Sequence, residues 1–235
     1  MRPMRSYGGG GFGFAGMESM AAKLAIGLVV GSVLFALLQG VGSLLLLVPN
    51  QVFYGFRLWQ PVTYAFIEND PVGIIFSAII IWSTGGALES FWGSKRLLQV
   101  AVGGTVLAGF LTAVLGLFLP LGVYAGGNVM ATIIWVALGL SIGRGQTNFW
   151  GMPVSGNVLA GIGAGFILLS TLFYGFASRL PALISLVLIF AYVRGGSPRN
   201  LWLRFQHWRL QRQLRGRSRH LRVISEDRPD DRFLN

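Results

Sequence analysis

An all-α integral membrane protein, a bundle of six transmembrane helices with both termini cytoplasmic, is predicted by three features of this chain. Hydrophobic residues make up 53% of its 235 and charged residues only 11%, where a soluble domain carries roughly 25% charged residues. The apolar residues gather into six long stretches. The basic residues between those stretches alternate from one connection to the next.

The stretches cover residues 24–48, 71–91, 97–119, 123–142, 152–173 and 180–193. Each of the first five holds about 20 residues or more, enough to cross ~30 Å of hydrocarbon as a helix. The sixth is short. It spans if residues 176–179 join its helix or if its outer end opens into a water-accessible cavity. The first stretch is too long for a signal-peptide core.

Charge sets the expected orientation. The N-terminus carries Arg2, Arg5 and Lys23, the second connection Lys95 and Arg96, and the fourth Arg144. The first connection sets Arg57 against Glu68 and Asp70, the third has no charge, and the fifth has only Arg179. Lys and Arg collect on the cytoplasmic side, which places both ends inside. The expected setting is a plasma membrane, a bacterial cytoplasmic membrane in particular.

Four parts follow: a flexible Gly-rich tail over 1–23, the membrane domain over 24–196, a basic amphipathic cytoplasmic segment over 197–223, and a flexible acidic tail over 224–235. Nine arginines and no acid lie between Arg194 and Arg222, interleaved with Trp202, Phe205 and Trp208. Such a segment suits anionic lipid at the inner leaflet, or serves as a solvated, orientation-fixing tail. Nucleic acid is a weaker candidate partner. The glycines within residues 8–13 lack the strand, lysine and helix that a phosphate loop requires.

The six stretches contain no histidine; His207 and His220 both lie in the basic tail. Cysteine is absent, so no disulfide or thiolate site exists, and a zinc site is not expected in the apolar body. No metal and no cofactor is expected. A buried hydroxyl such as Thr132 or Ser141 has no imidazole partner and stays protonated.

The most specific wording is Trp59-Gln60-Pro61-Val62-Thr63-Tyr64-Ala65-Phe66, followed by an apolar run that ends Leu88-Glu89-Ser90-Phe91-Trp92-Gly93-Ser94. It resembles the first loop and second transmembrane helix of the rhomboid intramembrane serine proteases. Gly126-Gly127-Asn128, at the mouth of the fourth stretch, resembles their Gly-x-Ser. The resemblance implies a rhomboid-like six-helix bundle and a structural role for Trp59, Thr63, Tyr64, Glu89 and Gly93. It also marks the departures. Asn128 stands at the nucleophile position, Gly73 and Ser77 stand where the family has His-x-x-x-Asn, and Glu68 replaces a loop histidine. Near the base position the chain offers Arg179.

The pseudo-active-site positions are therefore Asn128, Gly126, Gly127, Gly73, Ser77 and Arg179, with no catalytic residue assigned. Gly126 and Gly127 are expected either to expose N–H groups that hold a peptide carbonyl or, with Asn128 as an N-cap, simply to finish the helix. The resemblance implies that Glu89 bonds to neighbouring helices and loops, and beside Lys95 and Arg96 it reads as a paired interfacial carboxylate. Glu68 and Asp70 are expected to be solvated, with a cation site as the weaker alternative. Gly27, Gly31, Gly161, Gly163 and Gly165 are expected to form close-packing faces. The leading expectation is an inactive rhomboid-like protein, a pseudoprotease, that binds or chaperones other transmembrane segments within the bilayer. An active intramembrane serine endopeptidase with a noncanonical site is the alternative. A small transporter or channel ranks third, since no internal repeat or midplane charge supports it.

Overall fold

The computed structural model describes residues 15–38, 42–149 and 151–195. The basic 197–223 and acidic 224–235 segments, and most of the Gly-rich 1–23 tail, lie outside the described residues.

Helix α1 (Met20–Leu37) opens under Ser19, whose hydroxyl accepts the Ala22 N–H at 3.1 Å. It starts four residues ahead of the first apolar stretch and stops well before that stretch ends. Residues 24–48 are therefore not one span. Gly42–Leu44 forms a 3-10 turn, and Leu47 pairs backbone to backbone with Tyr124 through hydrogen bonds of 3.0 and 2.9 Å. Pro49 then starts a short helix α2 (Pro49–Tyr54) and leaves Val48 extended, the conformation a following proline favours. Hydropathy alone does not register where such a run stops being helical.

A four-residue helix α3 (Gln60–Thr63) and a 3-10 turn (Tyr64–Phe66) lead to α4 (Pro71–Trp92). Asp70 caps α4 by accepting the Gly73 N–H at 2.6 Å, with Pro71 at the first helical position, where its missing N–H costs nothing. Gly93, at φ +79°, ends α4 and lets α5 (Ser94–Leu115) begin at once. That left-handed φ strains any residue with a Cβ, which accounts for glycine in this motif position.

Helix α6 (Gly127–Ile142) lies at the centre, buried along most of its length and packed against α4, α5, α7 (Gly156–Tyr174) and α8 (Leu180–Arg194). The fifth apolar stretch begins as a strand instead of a helix. Gln146–Phe149 (β1) and Met152–Ser155 (β2) form an antiparallel hairpin, with Gly151 at φ +87° in its turn. Two-residue hairpin loops need positive φ, which the glycine supplies.

Five helical segments among the described residues are long and apolar enough to cross a membrane: α1, α4, α5, α7 and Ala177–Arg194. The last combines the 3-10 turn Ala177–Arg179 with α8, so the short sixth stretch gains its length from the residues before it. The central α6 has 16 residues, a rise of about 24 Å, short of the hydrocarbon thickness. The described residues thus form a helical membrane bundle with a small hairpin.

Backbones approach closely at α6 and α7. A Cβ on Gly139 would lie 2.4 Å from the Ala160 nitrogen, and one on Gly156 2.5 Å from the Gly139 carbonyl oxygen. Gly31 packs equally tightly on the Phe66 carbonyl, and Gly163 faces Trp135, but Gly161 and Gly165 face open space. The expected 161–163–165 packing series therefore holds only at its centre.

Candidate functional site

The loop between α1 and α4 is a braced frame. Trp59 Nε1 donates to the Leu44 carbonyl at 3.2 Å, and Thr63 Oγ1 donates to the Leu45 carbonyl at 2.8 Å. Gln60, fully buried, accepts the Val48 N–H at 3.1 Å. Tyr64, also fully buried, donates its hydroxyl to the Thr105 carbonyl in α5 at 2.5 Å, with its ring against Gly109 and Gly126. The loop carbonyls of Leu44 and Leu45 gain side-chain donors in this way, as buried loop backbone requires. Trp59, Thr63 and Tyr64 thus hold the loop rather than line a site.

That frame delivers Glu68 to the start of α6. Glu68 is 3% exposed, contrary to the expectation of a solvated loop acid. Its Oε2 accepts the Asn128 N–H at 2.9 Å, its Oε1 accepts the Asn69 N–H at 3.2 Å, and its own N–H donates to Ser32 Oγ at 2.9 Å. Burial pushes the Glu68 carboxyl above the ordinary glutamate value, against the Asn128, Asn69 and Asp70 N–H groups and the Arg179 charge, which hold it down. The Gly126 N–H donates to the Tyr64 and Ile67 carbonyls, and the Gly127 N–H to that of Ile67. The first backbone donors of α6 are therefore taken by the protein's own oxygens, and the expectation that Gly126 and Gly127 expose theirs is corrected. Asn128 is likewise not the N-cap. Gly126 holds that position, and the neighbouring loop's carboxylate does the capping.

Above this cap lies an open cavity of about 440 Å³. Glu68, Asp70, Gly73, Asn128, Ser178 and Arg179 line it, together with Tyr124 and Tyr174. Three sequence-selected positions, Asn128, Gly73 and Arg179, are thus brought together from three helix ends. Ser77 is buried in α4 and does not line the cavity. The Arg179 guanidinium rests 4.7 Å above the Tyr174 ring and makes no ion pair among the described residues. No hydrogen bond engages the Asn128 side chain among them either. Tyr124 fixes the rim by donating its hydroxyl to the Ala177 carbonyl.

Tyr124, Tyr174 and Ser178 escaped sequence reasoning, which weighed residues only against motif positions. Their place was legible in the topology, because the end of α7 and the start of α8 must return to the face where α6 begins. Hydroxyls deeper in the bundle turn onto their own helices. Thr132 donates to the Asn128 carbonyl at 2.8 Å, Ser141 to Ala137 at 2.7 Å, and Thr105 to Ala101 at 2.7 Å.

At the opposite end of α4, Glu89 repeats the capping device. Its two oxygens accept the Met20 and Ala21 N–H groups, each at 3.1 Å, and Oε1 also accepts the Ser94 hydroxyl. Its partners are thus the α1 N-terminus and the first residue of α5, and among the described residues no ion pair joins it to Lys95 or Arg96.

No curated protein matches the chain. A family model described as "Eukaryotic integral membrane protein (DUF1751)" matches residues 22–143, from the first turn of α1 to the end of α6. This overturns the expected bacterial membrane. Charge asymmetry reports which side of a bilayer a loop faces, and bacterial and eukaryotic membranes share that rule, so the sequence pattern never carried the distinction. With more than half of its length matched, the chain belongs to the DUF1751 family of eukaryotic integral membrane proteins.

Proposed function

We propose that this chain is a rhomboid-like, six-span membrane protein with both ends cytoplasmic, which holds transmembrane segments of other proteins without cutting them. The observation that carries this reading is the Glu68 carboxylate on the Asn128 N–H. Acyl transfer at a helix start needs free N–H donors aimed at a developing oxyanion. Here a carboxylate sits on such a donor, and it would repel negative charge there. The cavity above remains polar and open, with the Asn128 carboxamide and Arg179 at its wall. These groups can hold a peptide carbonyl or a client's polar residue.

A client helix reaches that cavity between α4 and α7, which are not packed directly against each other. The arginine-rich 197–223 segment adds attraction to anionic lipid. A photo-crosslinking residue at position 128 is expected to trap single-span membrane proteins in cells. A silent probe there, with the protein correctly inserted, sinks the reading.

One observation favours a second reading. Ser178 is exposed and lines the same cavity, where a hydroxyl could serve a noncanonical hydrolase. A serine-directed fluorophosphonate discriminates between the two. The binder leaves Ser178 unlabelled, whereas labelling lost in Ser178→Ala establishes the hydrolase.

A further inference from the structure

The end of the bundle opposite the Asn128 cavity carries a second concavity, between α5 and α8. It has a volume of about 350 Å³ and a mainly apolar wall, with Gln99 and the Tyr192 hydroxyl its polar groups. On α5 the wall is Val100, Gly103 and Leu107, which lie one turn apart on a single stripe. Leu188, Ile189 and Tyr192 of α8 face them, and Ile133 of α6 forms the floor. A Cβ on Gly103 would meet nothing within 4 Å, so the slot is open there.

One turn before Val100, on the same stripe of α5, stands Arg96. Its Nε donates to the Tyr192 hydroxyl at 3.0 Å, and its guanidinium lies 4.7 Å from the Trp92 ring and 5.4 Å from the Tyr192 ring. The two rings meet edge-on at 5.9 Å. The guanidinium is therefore fixed in place, yet it makes no ion pair among the described residues. Glu89, seven residues upstream, is already engaged by the Met20 and Ala21 N–H groups and Ser94. The Nη donors of Arg96 remain available as a fork, the geometry that suits a phosphate. Trp and Tyr flanking it are the side chains that settle at headgroup level.

We infer that this gap holds one anionic phospholipid, with its phosphate on the Arg96 guanidinium and an acyl chain in the slot lined by Gly103. A soluble anion has no use for the apolar slot, and a zwitterionic lipid brings a cation that offsets the attraction of its phosphate to Arg96. Only an anionic lipid satisfies both. The site lies outside the Asn128 cavity and does not depend on the client-binding reading.

The test is native mass spectrometry of the full-length protein in neutral detergent, with dioleoylphosphatidylserine or dioleoylphosphatidylcholine added. Wild type is expected to retain the serine lipid over the choline lipid. Arg96→Gln is expected to cut retention of the serine lipid roughly fivefold, the effect of about one interfacial cation, and retention of the choline lipid by less. Gly103→Leu, which fills the slot and keeps the charge, is expected to lower it as well. The basic tail is common to all variants. Retention unaltered by Arg96→Gln overturns the inference, as does retention unaltered by Gly103→Leu. Displacement by glycerophosphoserine as effective as by the intact lipid also overturns it, because that would mark a soluble-anion site.

Discussion

The Glu68 carboxylate meets the Asn128 backbone N–H at 2.9 Å across 60 residues of sequence. A helix start leaves its first N–H groups unpaired, and in this membrane protein the missing acceptor comes from a different segment. Glu68→Ala removes it. A buried donor without a partner costs about 1–3 kcal/mol, so the variant is expected to melt at lower temperature in detergent. Glu68→Gln keeps an oxygen in place and is expected to lose less. Equal melting of Glu68→Ala and wild type removes the cap from the account.

The same residue gives a pH dependence with a definite sign. Burial raises the folded-state pKa of Glu68 above its unfolded value, so the folded state holds more protons in the interval between the two. Stability from this group is full below the unfolded value, about 4.3, and is lost as pH rises through the raised folded value. Melting curves of wild type and Glu68→Gln are expected to differ by an amount that shifts against wild type as pH rises across that window. The groups facing Glu68, namely Asp70 and Arg179, are present in both proteins and cancel in the difference. A difference that is flat in pH contradicts the assignment.

Glu89 separates two kinds of electrostatic support. Its acceptors serve the Met20 and Ala21 N–H groups, a helix-start arrangement that favours negative charge. Glu89→Ala is therefore expected to cost about 1–3 kcal/mol, and Lys95→Gln is expected to have no effect. A Glu89–Lys95 ion pair would instead have both variants lose stability. Thermal melting of the two side by side decides between them.

How much was legible follows from what each signal measures. Hydropathy located the apolar runs, because burial in lipid demands them, but it placed the end of α1 and the start of α7 wrongly. Leu44–Leu47 are apolar yet serve a braced loop, and Met152–Ser155 are apolar yet form a strand. The hairpin did carry a local signal in Gly151 beside β-branched and aromatic residues, which the long apolar run masked. Of the candidate site, Asn128, Gly73 and Arg179 were found because motif positions converge at helix ends. The burial of Glu68 was not, since a loop acid reads as solvated until the fold places it over a helix terminus. The true α6–α7 seam, Gly139 against Gly156, lacked the spaced-glycine wording that drew attention to Gly161 and Gly165.

That seam gives a packing prediction with an internal control. A methyl on Gly139 would sit 2.4 Å from the Ala160 nitrogen, while one on Gly161 would meet nothing within 4 Å. Gly139→Ala forces two helix backbones apart and is expected to cost about 1–3 kcal/mol. Gly161→Ala is expected to be neutral or slightly stabilising, because alanine is the better helix former. Reversal of that order in detergent unfolding contradicts the α6–α7 packing.

Trp135 offers a test of how a client would reach the cavity. Its ring, 7% exposed, lies 6.3 Å from Phe76 of α4 and 5.9 Å from Phe166 of α7. These rings bridge two helices that do not otherwise pack directly against each other. Among the described residues its buried Nε1 has no hydrogen-bond partner, an uncommon and costly state for an indole N–H. A client carbonyl entering between α4 and α7 would supply the missing acceptor. Phe166 is 54% exposed, so Phe166→Ala removes little buried area and is expected to leave melting nearly unchanged. It does remove one leaf of the closure, and the yield of crosslinked client from position 128 is expected to rise. Trp135→Phe keeps an aromatic ring but deletes the donor, so its yield is expected to fall. If both variants crosslink as wild type does, the α4–α7 opening is not the route, and clients that still reach position 128 must come from the aqueous side.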